Sequence, residues 1–238
     1  MFVQKGKTRS ASGMKRARML LNCLLMAFLL FQMTRQFLPG VVHEAAGIVF
    51  VALAVVHNVI ARRWYAGLAR GRWNPRRALV TVVDLALVVV LAGIVACGLG
   101  MSGIAVSLGV AGHTMQLRSV HIALTHLGFL LAGIHLGMHM LSVSQKALRA
   151  LASRLGRVPA RAAGLAVALC VAAYGAFAFA KLDFAGYISM QTRFAFIDPS
   201  QSVTLFVFEH FTVFALFALV GLVLTVLTTK KTLGRTKG

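Results

Sequence analysis

Acidic residues are nearly missing from this chain. Asp and Glu together number 5 among 238 residues, against 25 Lys and Arg, for a formal charge of +20. Such an excess would suit a nucleic-acid-binding face. Here the cations fall in short segments between apolar runs, which is the pattern of the membrane orientation code. No nucleic-acid partner is expected. Cysteine is scarce too. Cys23, Cys97 and Cys170 are odd in number, lie in separate apolar runs and form no CxxC, which argues against a disulfide framework or a thiolate zinc site. They read as small packing residues. CxxCH is also missing, so covalent c-type haem attachment is excluded. There is no glycine-rich phosphate loop, and no polar segment is long enough for a soluble nucleotide- or flavin-binding module. The glycines are scattered through apolar runs, where small residues serve close helix packing.

What is present is apolar sequence. Hydrophobic residues make up 59% of the chain, and mean hydropathy is +0.82. Runs of about 20 apolar residues, enough for a helix to cross a bilayer, are placed at 19–38, 43–61, 79–100, 119–141, 162–181 and 203–228. The expected fold is all-α, a polytopic membrane bundle of six transmembrane helices forming a single membrane domain over 1–238, with any cofactor held in a four-helix core. Residues 1–18 form a basic leader, and no small-residue cleavage site follows the first run, so that run reads as an uncleaved signal-anchor. Of the 25 Lys and Arg, all but Arg35, Arg118, Lys181 and Arg193 fall in the N-terminal leader, the 62–78 and 142–161 loops and the C-terminal tail. The positive-inside rule then puts both termini in the cytoplasm. Trp64, Tyr65 and Trp73 fit an interfacial aromatic belt.

Ionisable residues inside spans are functional candidates, and here they are mainly histidines. The second run carries His43 and His57, the fourth carries His121, His126, His135 and His139, and the sixth carries His210 beside Glu209. His43 to His57 is 14 residues, and so is His121 to His135. Fourteen helical residues rise about 21 Å and return to within about 40° of the same face. Each helix thus presents two imidazoles on nearly one face, one toward each membrane surface. The two helices run in the same direction, which pairs His43 with His121 and His57 with His135 in depth. That pattern suits two bis-histidine b-type haems, whose irons take an axial nitrogen on each side. Small residues nearby (Ala45, Ala46, Gly47, Ala52 and Ala54; Ala123, Gly128, Ala132, Gly133 and Gly137) leave room for a macrocycle. His139 rivals His135 as the inner ligand, because 18 residues from His121 also return to that face. Glu44, His126 and Asp84 are candidates for a quinone or proton site. Glu44 has an equal claim as a helix N-terminal acid, and Asp84 as a structural hydrogen-bond partner. His113 lies in a polar loop.

The stretches HEAAGIVFVALAVVHNVIARRWYAGLARGRWNPRRAL, ACGLGMS and LRSVHIALTHLGFLLAGIHLGMHM resemble the flavinylation-associated cytochrome family, as does the segment from YGAFAF through FAFIDPSQSVTLFVFEHF. The HLGMH and HNVIARRWY elements are the more specific parts, and the C-terminal match is the looser one. The family is related in architecture to the di-haem cytochrome b subunits of formate dehydrogenases and hydrogenases. The resemblance implies a prokaryotic cytoplasmic (inner) membrane protein that moves electrons between membrane quinone and an extracytoplasmic redox protein carrying covalent FMN. It also places His43, His57, His121 and His135 at haem-holding positions, as metal ligands to iron. No catalytic residue is assigned, and the chain reads as an electron-transfer protein or an oxidoreductase subunit. Two other readings fit the histidines: a ferric-reductase-like subunit fed by a separate cytosolic flavin reductase, and a proton-coupled transporter using histidine relays. The transporter reading predicts broken helices and inverted repeats, and neither is visible in the sequence.

Overall fold

A computed structural model describes residues 3–70, 73–107, 109, 115–192 and 202–235. It is helical, with no strand among the described residues. The helices are α1 (Val3–Met33), α2 (Gly40–Ile60), α3 (Arg62–Gly67), α4 (Pro75–Gly100), α5 (Gly103–Ser107), α6 (Met115–His139), α7 (Leu141–Leu155), α8 (Arg157–Lys181), α9 (Phe184–Ile188) and α10 (Val203–Arg235). Six segments are long and apolar enough to cross a membrane: Gly13–Met33, Gly40–Ile60, Pro75–Gly100, Met115–His139, Arg157–Lys181 and Val203–Thr229. The chain is thus a multi-pass helical bundle in composition and length. Its helices divide into two compact units, Met1–Gly71 and Arg72–Gly238.

The helix ends depart from expectation where local chemistry overrides hydropathy. The first span was expected to continue to 38, but α1 stops at Met33 and a 3₁₀ turn follows over Arg35–Phe37. Pro39 ends the helical backbone before the expected boundary, because it forces the preceding Leu38, which closes the 3₁₀ turn, into extended backbone (φ −118°, ψ 144°). The third span was expected from 79, but α4 starts at Pro75. Asn74 accepts the Arg77 N–H at 2.8 Å, and proline fits the first helical position, where no N–H is needed. The basic segment 142–161 was read as a loop and is instead mostly α7. Gly156, with φ +89°, ends α7 and starts α8. A left-handed residue of this kind strongly favours glycine.

In the first unit α1 and α2 form a hairpin. In the second, α6 is the central helix, packed between α4 and α10. Its contacts with α4 run antiparallel: Gly93 meets Leu124, Gly98 meets His121 and Gly128 meets Val90. Its contacts with α10 run parallel, Gly133 against Phe214 and Gly137 against Ala218. Packing between α8 and α10 is antiparallel, with Gly175 against Thr212 and Leu216. Lipid chains are as apolar as leucine, so helices in a bilayer associate through close contact and not through water exclusion. The α6/α10 seam shows how close. A Cβ on Gly137 would lie 1.9 Å from the Ala218 carbonyl oxygen, and one on Gly221 would lie 2.1 Å from that of Ile134. Phe129 and Met138 of α6 are fully buried beside this seam.

Gly137→Val and Gly221→Val are expected to push the two backbones apart and lose about 1–3 kcal/mol or more through overpacking. Gly13→Ala, where a Cβ meets nothing within 4 Å, should be neutral. Thermal unfolding in detergent, followed by size-exclusion chromatography, reads both. Equal stability of all three variants would show that the seam is not tight.

Candidate functional site

In the first unit, polar residues of α1 reach toward α2. His57 Nδ1 lies 3.1 Å from Asn22 Oδ1, so the imidazole N–H donates to the amide oxygen and its ring is oriented by α1. Gly47 faces Gln32, whose Nε2 would be 3.0 Å from a Cβ there. Asn58 donates to the Ala54 carbonyl at 2.8 Å and accepts from the Tyr65 hydroxyl. His43 and Glu44 lie half-buried in the first turn of α2.

In the second unit the antiparallel register of α4 and α6 anchors two imidazoles near opposite ends of one helix. Toward one end, His121 Nδ1–H donates to the Ile94 carbonyl at 3.1 Å. Toward the other, His135 Nδ1 lies 2.7 Å from Asp84 Oδ1. Asp84 therefore acts on the His135 ring directly. His139 packs edge-on against His135, with ring centroids 4.8 Å apart. Asp84, His135 and His139 each offer a ligand atom, and these lie within 4.8 Å of one another. This cluster joins Asp84 to both rival inner-ligand histidines.

His126 and His210 lie in an aromatic nest toward the His121 end. His126 Nδ1–H donates to the Ile122 carbonyl at 2.8 Å, and His210 Nδ1–H to the Phe206 carbonyl at 2.9 Å. His126 stacks on Tyr187 with centroids 4.5 Å apart, and Phe184 contacts both imidazoles, at 4.9 Å and 5.6 Å. Phe129 adds a further ring against His210 at 6.0 Å. Burial raises the Tyr187 phenol above its usual pKa, and the Asp183 carboxylate adds to the rise, so this hydroxyl keeps its proton.

Beside the nest, Glu209 is 1% exposed and pairs with Lys181 at the end of α8. Its second oxygen, Oε2, is buried with no hydrogen-bond partner among the described residues. The sequence shows Glu209 next to His210 but not its cation, which is 28 residues away. Tyr187 and Phe184 were also missed, because they sit on α9 within a segment read as a loop. A buried acid needs a compensating charge, and Lys181 ends the span that precedes Glu209, so the pair had a topological signal. His113 lies outside the described residues.

These side chains can be tested against a b-type haem. An axial histidine binds iron through one ring nitrogen while the other N–H is held by a carbonyl or carboxylate. Asn22, Ile94 and Asp84 hold Nδ1 of His57, His121 and His135 in this way, so a haem iron would be met by the Nε2 side of each ring. Gly98 of α4 lies beside the His121 ring, where a Cβ would make ordinary contact with Cε1 at 3.5 Å. The residues fit the group. His126 and His210 share the Nδ1 geometry but fit less well, because aromatic rings already pack against both, Tyr187 and Phe184 on His126 and Phe206 and Phe184 on His210. No family model matches the chain, and neither the curated proteins nor the solved structures contain a match.

Lys181→Met should lower the thermal midpoint by stranding a buried carboxylate, and adding Glu209→Gln should recover part of the loss. Additive losses in this double-mutant cycle would show that the two residues are not coupled.

Proposed function

We propose that the chain carries electrons across a membrane through two bis-histidine b-type haems, exchanging them between the quinone pool and an extracytoplasmic, flavin-bearing redox protein. The supporting observation is the pair of anchored imidazoles on α6, with His121 held by Ile94 and His135 held by Asp84. Four axial nitrogens are needed, and the proposal assigns them to His43, His57, His121 and His135. When bound, such haems accept and donate single electrons at potentials set by ligand basicity, burial and nearby charge. The chain's residues do the tuning. A carboxylate accepting the His135 N–H makes that imidazole more basic and favours the oxidised state, whereas the neutral Ile94 carbonyl does so less. The resemblance to flavinylation-associated cytochromes supports the choice of partners.

A second reading has one observation in its favour. Asp84, His135 and His139 form a two-histidine, one-carboxylate set that suits a divalent transition metal. Such a site would fit a proton-coupled transporter better than a di-haem protein.

Oxidised and dithionite-reduced absorption spectra of the purified chain, with haem quantified as pyridine haemochrome and metals by mass spectrometry, separate the two. Sharp reduced b-type bands with about two haems per chain are expected. Zinc or another divalent metal without porphyrin, in cells with adequate haem supply, would favour the second reading. His57→Ala and His121→Ala should each lower haem content by about half or more, and full retention in either would reject that ligand. Asp84→Asn should keep haem while raising one midpoint potential.

A further inference from the structure

The second unit has a basic cleft that the redox reading does not use. Met140 separates α6 from α7, and the left-handed Gly156 turns the chain from α7 into α8. This holds α7 at the end of the unit where α6 finishes and α8 begins. Leu148 packs toward α8, 3.5 Å from where a Cβ on Gly164 would sit. Between the two helices is a cleft of about 340 Å³ lined by Leu148, Arg149, Ala152, Arg157 and Arg161. Arg157 and Arg161 stand one turn apart on α8, so their guanidinium groups can converge.

The chain's acids are Glu44, Asp84, Asp183, Asp198 and Glu209. Asp84 bonds His135, Glu209 bonds Lys181, and Asp183 bonds the Gly186 N–H and the Thr192 hydroxyl. Among the described residues, no carboxylate forms a salt bridge with Arg149, Arg157 or Arg161. These guanidinium groups are thus placed to take an anion from outside the chain. Guanidinium groups match phosphate oxygens in geometry and bind them bidentately. The surroundings narrow the source of that phosphate. Leu155, Val158 and Leu165 are 54%, 79% and 62% exposed on the same two helices, forming apolar surface that continues from the cleft along the start of a span.

We propose that this cleft is a binding site for an anionic glycerophospholipid. The phosphate diester lies against Arg149, Arg157 and Arg161, and the acyl chains run over Leu148 and Val158 along α8. Basic pockets between helices at a membrane surface hold anionic headgroups by this combination of charge and apolar contact. A free phosphate would use the arginines but gain nothing from the apolar surface beside them.

The test is native mass spectrometry of the full-length protein in neutral detergent, with dioleoyl phosphatidylglycerol and dioleoyl phosphatidylcholine added at equal concentration. Phosphatidylglycerol should be retained preferentially, by about fivefold for each arginine engaged. Arg157→Gln/Arg161→Gln should lose most of that preference, and Arg157→Lys/Arg161→Lys should retain part of it. Arg62→Gln/Arg76→Gln, which removes equal charge elsewhere, should leave it unchanged. No lipid preference in the unaltered protein would overturn the proposal, as would an equal loss in the Arg62/Arg76 control. Displacement of phosphatidylglycerol by millimolar inorganic phosphate would also overturn it, by identifying a site for the free anion.

Discussion

Backbone-to-backbone contact between α6 and α10 is the constraint on which the larger unit depends. Gly137 and Gly221 leave no room for a methyl group against the opposing carbonyls, and this fixes the distance, rotation and vertical offset of the two helices together. The aromatic nest is a consequence of that offset. Phe129 of α6 meets His210 and Phe214 of α10 because the seam brings their turns level. Lys181 reaches Glu209 because α8 packs through Gly175 onto the same α10 helix. In a solvent that offers no hydrophobic drive between helices, shape at glycine has to supply what exclusion of water supplies elsewhere.

Scarcity of acid shapes the rest. The few carboxylates whose contacts are described are all used internally: Asp84 orients an imidazole, Glu209 neutralises an ammonium, and Asp183 caps α9. None is spent on the arginines of α7 and α8. In the second unit Glu209 and Asp183 are engaged near the end of α8, whereas among the described residues no carboxylate pairs with the arginines where α8 begins. That asymmetry is visible in the sequence as a bias of cations between loops, and the structure adds where each acid goes.

Hydropathy alone made the six spans legible, because length and apolarity are properties of a segment by itself. The ends were less so. Asn74-Pro75 and Gly156 start helices through backbone chemistry that hydropathy does not register, and α7 was taken for a loop because an amphipathic helix in a basic segment resembles one. At the site, the fourteen-residue histidine spacing was readable from helical periodicity. The partners of those histidines were not. Asp84 was visible as a buried acid, but pairing it with His135 requires the register of α4 on α6, which depends on loop lengths and glycine contacts far from either residue. Lys181 and Glu209 carry a topological signal, at the end of one span and near the start of the next, but their contact likewise depends on the register of α8 on α10.

The two anchors on α6 also act as a phase lock. Ile94 holds His121 and Asp84 holds His135, both from the same neighbouring helix. One residue inserted into α6 between the two histidines would turn one imidazole about 100° against the other. Only one anchor could then be met at a time, and the helix would have to choose which end to keep in register. The spacing along this segment is therefore a stricter requirement than the identity of the apolar residues that fill it. Leucine, valine and isoleucine can exchange there at little cost, but the count of residues cannot change.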